Sequence, residues 1–117
     1  MAFKKSIRQT VYNKCNGHCA YCGVELQFAK MHIDHIYPKI YGGSDYIENL
    51  NPSCKYCNNY KCFYGIKSLR EALNTMFNEK LEYLFKSKTK MQIAINFGIV
   101  KLEKWDGLFY FEKIPQQ

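Results

Sequence analysis

Residues 19–61 of the chain read CAYCGVELQFAKMHIDHIYPKIYGGSDYIENLNPSCKYCNNYK. A Cys-x-x-Cys pair stands near each end of this stretch, Cys19/Cys22 and Cys54/Cys57. Two cysteines separated by two residues can reach one ion from a tight knuckle, and two knuckles supply the four thiolates that structural zinc prefers. The pairs therefore predict a zinc site. Since residues 23–53 are more than a simple zinc ribbon contains, we also expect an element inserted between the knuckles.

A thioredoxin-like redox pair is the alternative interpretation of these cysteines. It would use one pair rather than two, in a βαβ setting that the sequence does not display. Two cysteines, Cys15 and Cys62, remain outside the pairs. We interpret both as ordinary thiols, with Cys15 as an alternative ligand.

Polar residues of catalytic types are dense between and just after the cysteine pairs, namely Asp34, His35, Asn49 and Asn58. An aspartate beside a histidine offers a hard oxygen ligand next to a base that titrates near neutral pH. Hydrolysis of a phosphodiester uses both, a cation to neutralise charge and a base to activate water. Each residue alone is weak evidence, and their arrangement between the pairs favours a catalytic site.

The order and spacing of these residues resemble the HNH nucleases, a family with a ββα-metal fold. The resemblance covers about residues 7–62, with Asn58 at a position that is histidine in some members. The matching positions are Cys19/Cys22, Asp34-His35-Ile36-Tyr37-Pro38, Gly42-Gly43, Asn49-Leu50 and Cys54/Cys57 followed by Asn58-Asn59-Tyr60-Lys61.

The resemblance implies a role for each matching position. His35 would be the general base that deprotonates water, and Asn49 would anchor the loop and orient His35. Asp34 and Asn58 would bind one divalent cation, Mg²⁺ or Mn²⁺. By the same resemblance, a structural zinc ion would be held by Cys19, Cys22, Cys54 and Cys57. Lys61 and Lys39 are the predicted contacts to nucleic-acid phosphates.

Strand geometry places a condition on this site. Neighbouring side chains of a regular strand face opposite sides, so Asp34 and His35 serve one phosphate only if the strand ends or twists there. Pro38 and the glycine-rich loop make a strand end reasonable. His32, two residues before Asp34, either assists the metal or contacts DNA, or is a solvated strand histidine.

Composition is consistent with one domain and a polyanionic partner. The chain has 117 residues and a net charge of +7, with basic residues in excess in both halves. Spread positive charge favours a polyanionic partner such as nucleic acid, and the resemblance to the HNH nucleases implies double-stranded DNA. No apolar run is long enough to span a membrane, and the first residues lack the apolar stretch of a secretory signal. We therefore expect a cytoplasmic protein, or one encoded by a phage or mobile element and acting in the host cytoplasm.

The expected fold class is α+β, a small zinc-stapled ββα-metal core with flanking helices and a C-terminal β-hairpin. Residues 1–66 would form the core and residues 67–117 an extension packed on it. Periodicity predicts helices over residues 4–14, 54–66 and 89–97, and a longer one that begins at a capping box, residues 68–71, and carries an apolar stripe to Leu84. The runs 24–28 and 31–36 predict a hairpin, residues 37–53 a loop, and Ile99 to Lys113 a second hairpin that turns at Asp106-Gly107.

The sequence thus predicts a divalent-metal-dependent endonuclease that hydrolyses DNA phosphodiester bonds with a histidine-activated water. The alternative is a zinc-containing module that binds nucleic acid without catalysis. Such a module would keep the cysteines and the basic charge but would not need Asp34, His35 and Asn58. A homodimer would allow both strands of a duplex to be cut.

Overall fold

The computed structural model describes residues 3–78, 88–100 and 103–115. Its helices and strands, in chain order, are α1 (Lys5–Lys14), β1 (His32–His35), β2 (Leu50–Ser53), α2 (Lys55–Lys61), α3 (Ile66–Asn78), α4 (Lys88–Asn96) and α5 (Tyr110–Lys113). Single turns of 3-10 helix lie at Phe28–Lys30, Lys39–Tyr41 and Ile47–Asn49. The mixture of helices with a small antiparallel sheet confirms the predicted fold class.

The chain divides into two compact units. The first comprises Met1–Lys67 together with Leu108–Gln117, and the second comprises Ser68–Gly107. The expectation of one domain with an extension packed on its core stays a prediction.

The sheet of the first unit is a two-stranded antiparallel hairpin of β1 and β2, with Asp34 opposite Asn51 and His35 opposite Leu50. The predicted hairpin between residues 24–28 and 31–36 is therefore wrong. Residues 24–28 contribute only an isolated bridge between His18 and Glu25. Strand β2 lies within the segment predicted as a loop. Pro52 argues against a strand in the sequence, since proline interrupts the hydrogen-bond ladder of a sheet.

Helix α1 confirms the predicted N-terminal helix and packs against β2. Its Val11 is fully buried, and the Lys14 ammonium donates to the carbonyls of Ile47 and Leu50 at 2.9 and 2.5 Å. These bonds tie the end of α1 to the entrance of β2. Burial lowers the pKa of Lys14.

Helix α2 is shorter than predicted and ends at Lys61. The next residue, Cys62, has a positive φ of 46°, which breaks the helical path. Helix α3 begins at Ile66, ahead of the predicted capping box. The end of the apolar stripe, including Leu81 and Leu84, lies outside the described residues.

A buried ion pair joins α2 to β1. The Lys61 ammonium lies 3.1 Å from Oδ2 of Asp34 and donates to the His35 carbonyl at 2.9 Å. The Lys61 residue is 0% exposed and Asp34 is 7% exposed. Charges withdrawn from water in this way depend on each other, because either one alone is costly to bury.

The loop between the strands is held by the side chain of Asn49 and by a close approach at Gly43. Asn49 accepts from the Tyr37 amide at 2.8 Å and donates to the carbonyls of Tyr37 and Ser44 at 3.2 and 2.8 Å. A Cβ atom at Gly43 would lie 1.8 Å from the Tyr37 carbonyl oxygen. Only glycine fits this close approach of one chain segment to another.

The second unit contains most of α3 together with α4. Arg70 donates to the Gly107 carbonyl at 2.5 Å, and the rings of Phe77 and Trp105 meet edge to face. Helix α4 confirms the predicted helix over residues 89–97, and Gly98 with φ of 74° follows its end. Glycine tolerates this left-handed conformation, which ends many helices.

The predicted C-terminal hairpin is not confirmed. Within the described residues 103–115 there is no strand, and Tyr110–Lys113 is the short helix α5. The Tyr110 and Phe111 amides donate to the carbonyls of Tyr21 and Ala20 at 3.2 and 2.8 Å. The Phe109 amide donates to the Glu112 carboxylate at 2.9 Å. The backbone groups that an opposing strand would have used are thus bound elsewhere.

None of the described helices combines the length and the apolar character needed to cross a membrane.

The Lys61→Met variant tests the contribution of the buried ion pair. Removing the ammonium leaves the Asp34 carboxylate buried without its counter-charge, so we expect the free energy of unfolding to fall by about 3–5 kcal/mol. Guanidinium denaturation measures this change. The matched control is Lys5→Met on the exposed face of α1, which should stay within about 0.5 kcal/mol of wild type. Equal losses in both variants would contradict the assignment.

Candidate functional site

The four predicted cysteines form one cluster. The sulfur atoms of Cys19, Cys22, Cys54 and Cys57 all lie within 4.8 Å of one another, and those of Cys22 and Cys54 are 3.9 Å apart. Zinc with Zn–S distances of about 2.3 Å holds four tetrahedral sulfurs roughly 3.8 Å apart. The cluster is therefore compatible with zinc in both donor chemistry and spacing.

Local backbone structure brings the cysteines together. In the first knuckle the Cys19 amide donates to Val24 at 2.8 Å, and the Gly23 amide returns to the Cys19 carbonyl at 3.0 Å. Gly23 has φ of 81°, which permits this tight turn. In the second knuckle Cys54 is the N-cap of α2, and its sulfur accepts from the Cys57 amide at 3.4 Å. Each pair is thus set by a turn of its own.

The thiols of the cluster influence one another strongly. A hydrogen bond from Cys57 lowers the pKa of Cys19. The same hydrogen bond raises the pKa of Cys57, and burial raises that of Cys22. The cluster by itself therefore stabilises one thiolate and resists further ones. A bound divalent cation would remove this repulsion, because it attracts each thiolate.

The two other cysteines lie outside the cluster. Cys15 is 1% exposed, and burial raises the pKa of its thiol to about 11. Cys62 is exposed. Neither sulfur belongs to the group of four that lie within 4.8 Å of one another.

Asp34 faces the interior between β1 and α2. Its Oδ2 accepts from the Tyr21 hydroxyl and lies 3.1 Å from the Lys61 ammonium. Burial raises the pKa of Asp34, and the contacts with Tyr21 and Lys61 oppose this effect. The carboxylate that the sequence predicts as a metal ligand therefore already has one cationic partner within the protein.

His35 belongs to the other face of β1. Its Nε2 lies 2.7 Å from Oδ1 of Asp45, and its ring contacts that of Phe3. Its side chain is 18% exposed. Asp34 and His35 thus have separate sets of partners although they are adjacent, as side-chain alternation in a strand requires. Strand β1 ends at His35.

Asp45 is a site residue that the sequence reasoning missed. Besides His35 it binds the Lys39 ammonium, which lies 3.1 Å from Oδ1 and 2.9 Å from Oδ2. Hydrogen bonds from His35 and Lys39 lower its pKa. The only signal in the sequence is an acidic residue directly after Gly42-Gly43-Ser44, where the loop folds back toward β1.

Asn49 holds the loop through Tyr37 and Ser44. Its predicted second task, a hydrogen bond that orients His35, falls to Asp45 in the structure. The Asn49 carbonyl accepts from the Ile36 amide at 2.8 Å, directly after His35. Asn49 therefore acts on the backbone around the histidine.

Asn58 lies on α2 beside His32, with its Nδ2 3.5 Å from Nδ1 of the ring. His32 and Asp34 are two residues apart and therefore point to the same face of β1, so Asn58 and Asp34 lie on the same side of the hairpin. The contacts of the described residues do not join Asp34 to Asn58 directly. Tyr21 and Lys61 both contact Oδ2 of Asp34. Oδ1 is therefore the carboxylate oxygen that Asp34 could offer to a cation. Oxygen donors fit Mg²⁺ and Mn²⁺.

The two predicted phosphate-binding lysines differ in accessibility. The Lys39 side chain is 58% exposed and paired with Asp45. Lys61 is fully buried beside Asp34. In this arrangement Lys39 can reach a phosphate at the surface, whereas Lys61 acts as the internal counter-charge of Asp34.

Part of the chain is similar to known proteins. Residues 19–69 match a family model described as HNH endonuclease. No curated protein matches the chain. A solved structure, the Type II-C Cas9 enzyme from Actinomyces naeslundii, is similar in fold with a TM-score of 0.53 and 24% sequence identity. The match covers 57% of this chain and only 8% of the Cas9 chain.

The matched segment contains the complete cysteine cluster, both strands, α2 and the loop that carries Asp45. The residues quoted for the HNH resemblance from Cys19 to Lys61 all fall within it. The candidate site thus lies within the segment that matches the HNH endonuclease model.

Proposed function

We propose that this protein is a divalent-metal-dependent endonuclease that hydrolyses phosphodiester bonds in DNA, with His35 as the general base. The observation that carries the proposal is the placement of His35 within the family segment. Its ring lies at the end of β1, partly open to solvent, with Nε2 bound to a carboxylate. A histidine held in this way can accept a proton through its other nitrogen.

The reaction uses His35 as a proton acceptor. The imidazole takes a proton from water, and the resulting hydroxide oxygen forms a bond to phosphorus. The bond from phosphorus to the leaving oxygen then breaks, and that oxygen keeps the bonding electron pair and takes up a proton from solvent. General-base assistance of this kind contributes about 10²–10⁴-fold to a rate.

Asp34, through Oδ1, and Asn58 are the residues that would hold the catalytic Mg²⁺ or Mn²⁺. Such an ion, when bound, neutralises charge on the phosphate and on the leaving oxygen. Lys61 keeps Oδ2 of Asp34 occupied and so fixes the direction in which the carboxylate presents its other oxygen. The hydroxyl of Tyr21, which lies in the first knuckle, supports the same orientation.

The charge of the protein supports DNA as the substrate. The chain carries a net charge of +7, and lysines close to a polyanion release its condensed counterions. Lys39 is the exposed cation nearest to His35 along the loop, and we assign it the phosphate contact. Lys61 supports the site from within.

The four-cysteine cluster is the proposed site of a structural zinc ion. All four ligand positions are taken by thiolates, which leaves no open position for a substrate or a reactive water. Zinc would connect the knuckle at Cys19 to the start of α2 and so fix the two ends of the segment that contains His35.

Metal analysis tests the zinc proposal. Purified protein should contain about one zinc per chain, and Cys54→Ser should lose the metal and unfold at lower denaturant, since the binding energy of structural zinc is folding energy. The matched control is Cys62→Ser, which changes an exposed cysteine outside the cluster. Zinc-free protein with unchanged stability would contradict the proposal.

Cleavage of supercoiled plasmid in the presence of Mg²⁺ or Mn²⁺ tests the nuclease activity. We expect His35→Ala to lower the rate by about 100-fold or more, because the general base is gone. His18→Gln, a change outside the β1–β2 hairpin, is the control and should retain activity. Zinc content and folding are checked for each variant. Equal rates for wild type and His35→Ala would contradict the assigned base.

One observation favours a second function, a zinc-containing module that binds nucleic acid without cleaving it. Lys61 already neutralises Asp34, and Asp34 is not joined to Asn58. If the wild-type protein binds DNA but leaves it intact with every divalent ion offered, this second function is the better description.

A further inference from the structure

The hydrogen bond between His35 and Asp45 has a consequence for which nitrogen of the ring can act. Asp45 Oδ1 lies 2.7 Å from Nε2. A carboxylate only accepts hydrogen bonds, so the shared proton must reside on Nε2. In a neutral imidazole the other nitrogen, Nδ1, then carries the free electron pair.

We propose that Asp45 is the positioning residue of the candidate active site, which fixes His35 in the Nε2–H tautomer and makes Nδ1 the atom that takes the proton from water. The proposal rests on the nuclease function proposed above and specifies the residue that directs its general base.

The loop presents Asp45 in a defined place. Asn49 binds the Tyr37 amide and the carbonyls on both sides of the turn, at Tyr37 and Ser44. The Gly43 amide donates to the Pro38 carbonyl at 3.1 Å, and the close approach of Gly43 to Tyr37 leaves no space for a side chain. The segment just before Asp45 is thus anchored to the segment just after His35.

Lys39 holds the carboxylate from its other side. Its ammonium contacts both oxygens of Asp45, at 3.1 and 2.9 Å, while His35 uses Oδ1 alone. Because Asp45 is 49% exposed, its side chain would otherwise rotate freely in water. The two contacts together select the orientation in which Oδ1 faces the ring.

A purely structural role for Asp45 makes a different prediction. Surface ion pairs contribute little to stability, because solvent screens them. If the pair with His35 were only such a contact, removing it would leave both the tautomer and the turnover number unchanged. A positioning role predicts changes in both, with little effect on substrate affinity.

The first measurement is the tautomer of His35 in ¹⁵N-labelled, zinc-loaded protein without a catalytic ion. Long-range ¹H–¹⁵N correlation spectra at about pH 8.5, where an ordinary histidine is neutral, distinguish the protonated ring nitrogen. The His35 signals are assigned by their loss in His35→Gln. We expect Nε2–H in wild type and in Asp45→Glu. In Asp45→Asn the amide can also donate to Nε2, so the Nδ1–H form should appear.

The second measurement is steady-state cleavage of a DNA duplex with Mg²⁺. Asp45→Asn should lower kcat by about 100-fold or more while KM changes less than about threefold, because tautomer control acts on the chemical step. Asp45→Glu should recover at least about tenfold of that loss. In a His35→Ala background, Asp45→Asn should have no further effect, since the residue acts through the ring. Glu103→Gln, another exposed acidic position, is the charge-matched control.

The outcomes separate this proposal from the nuclease proposal. Nδ1–H in wild type, or a wild-type kcat in Asp45→Asn, would overturn the role of Asp45 even in an active nuclease. A protein that cleaves no DNA but shows the Nε2–H tautomer, lost in Asp45→Asn, would contradict the nuclease function while supporting control of the ring by Asp45.

Discussion

The proximity of four sulfur atoms is the constraint on which the first unit depends. The knuckle that follows α1 and the start of α2 are far apart in sequence, yet their cysteines lie within 4.8 Å of one another. Strand β1, the loop and β2 lie between them and form one segment whose two ends meet at this cluster. Closing a long segment costs conformational entropy, and a small fold buries too little apolar surface to offset such a cost easily. Fixing both ends at the cluster would offset this cost, so the sheet that carries His35 can be short and partly exposed.

The alternation of a β-strand then divides the work between two adjacent residues. Asp34 turns inward to Tyr21 and Lys61, and His35 turns toward the loop and Asp45. Each side chain is paired with a charged group from a different part of the chain, Asp34 with Lys61 of α2 and His35 with Asp45 of the loop. Asp34 is buried with Lys61, whereas the side chains of His35 and Asp45 are partly exposed. The two adjacent side chains thus have separate surroundings.

Features set by local chemistry could be predicted from the sequence. The cysteine spacing identified the cluster, and helical periodicity identified α1 and α4. Features that depend on contacts between distant segments could not. Strand β2 was hidden by Pro52, whose carbonyl instead accepts from Ala20 at 2.9 Å. The Asp106-Gly107 turn predicts a C-terminal hairpin, and nothing in the local pattern indicates that this segment instead bonds to Tyr21.

The candidate site shows the same division. The types of residue it contains follow from the motif, whereas their pairing does not. Asp45 has no periodic or spacing signal, and a lysine such as Lys61 is expected at the surface until its buried carboxylate is known. Both pairings arise from where the loop and α2 meet β1 in three dimensions.

The return of the C-terminal segment to the knuckle makes the first unit discontinuous in sequence. Leu108–Gln117 belongs to the first unit, so Ser68–Gly107 is an insertion in sequence between two parts of one module. Phe109 and Phe111 pack their rings against Tyr21, the residue that also binds Asp34. The first unit therefore extends to these aromatic contacts and does not end with the last residue of the motif. A fragment cut after the motif would therefore lack part of its own core.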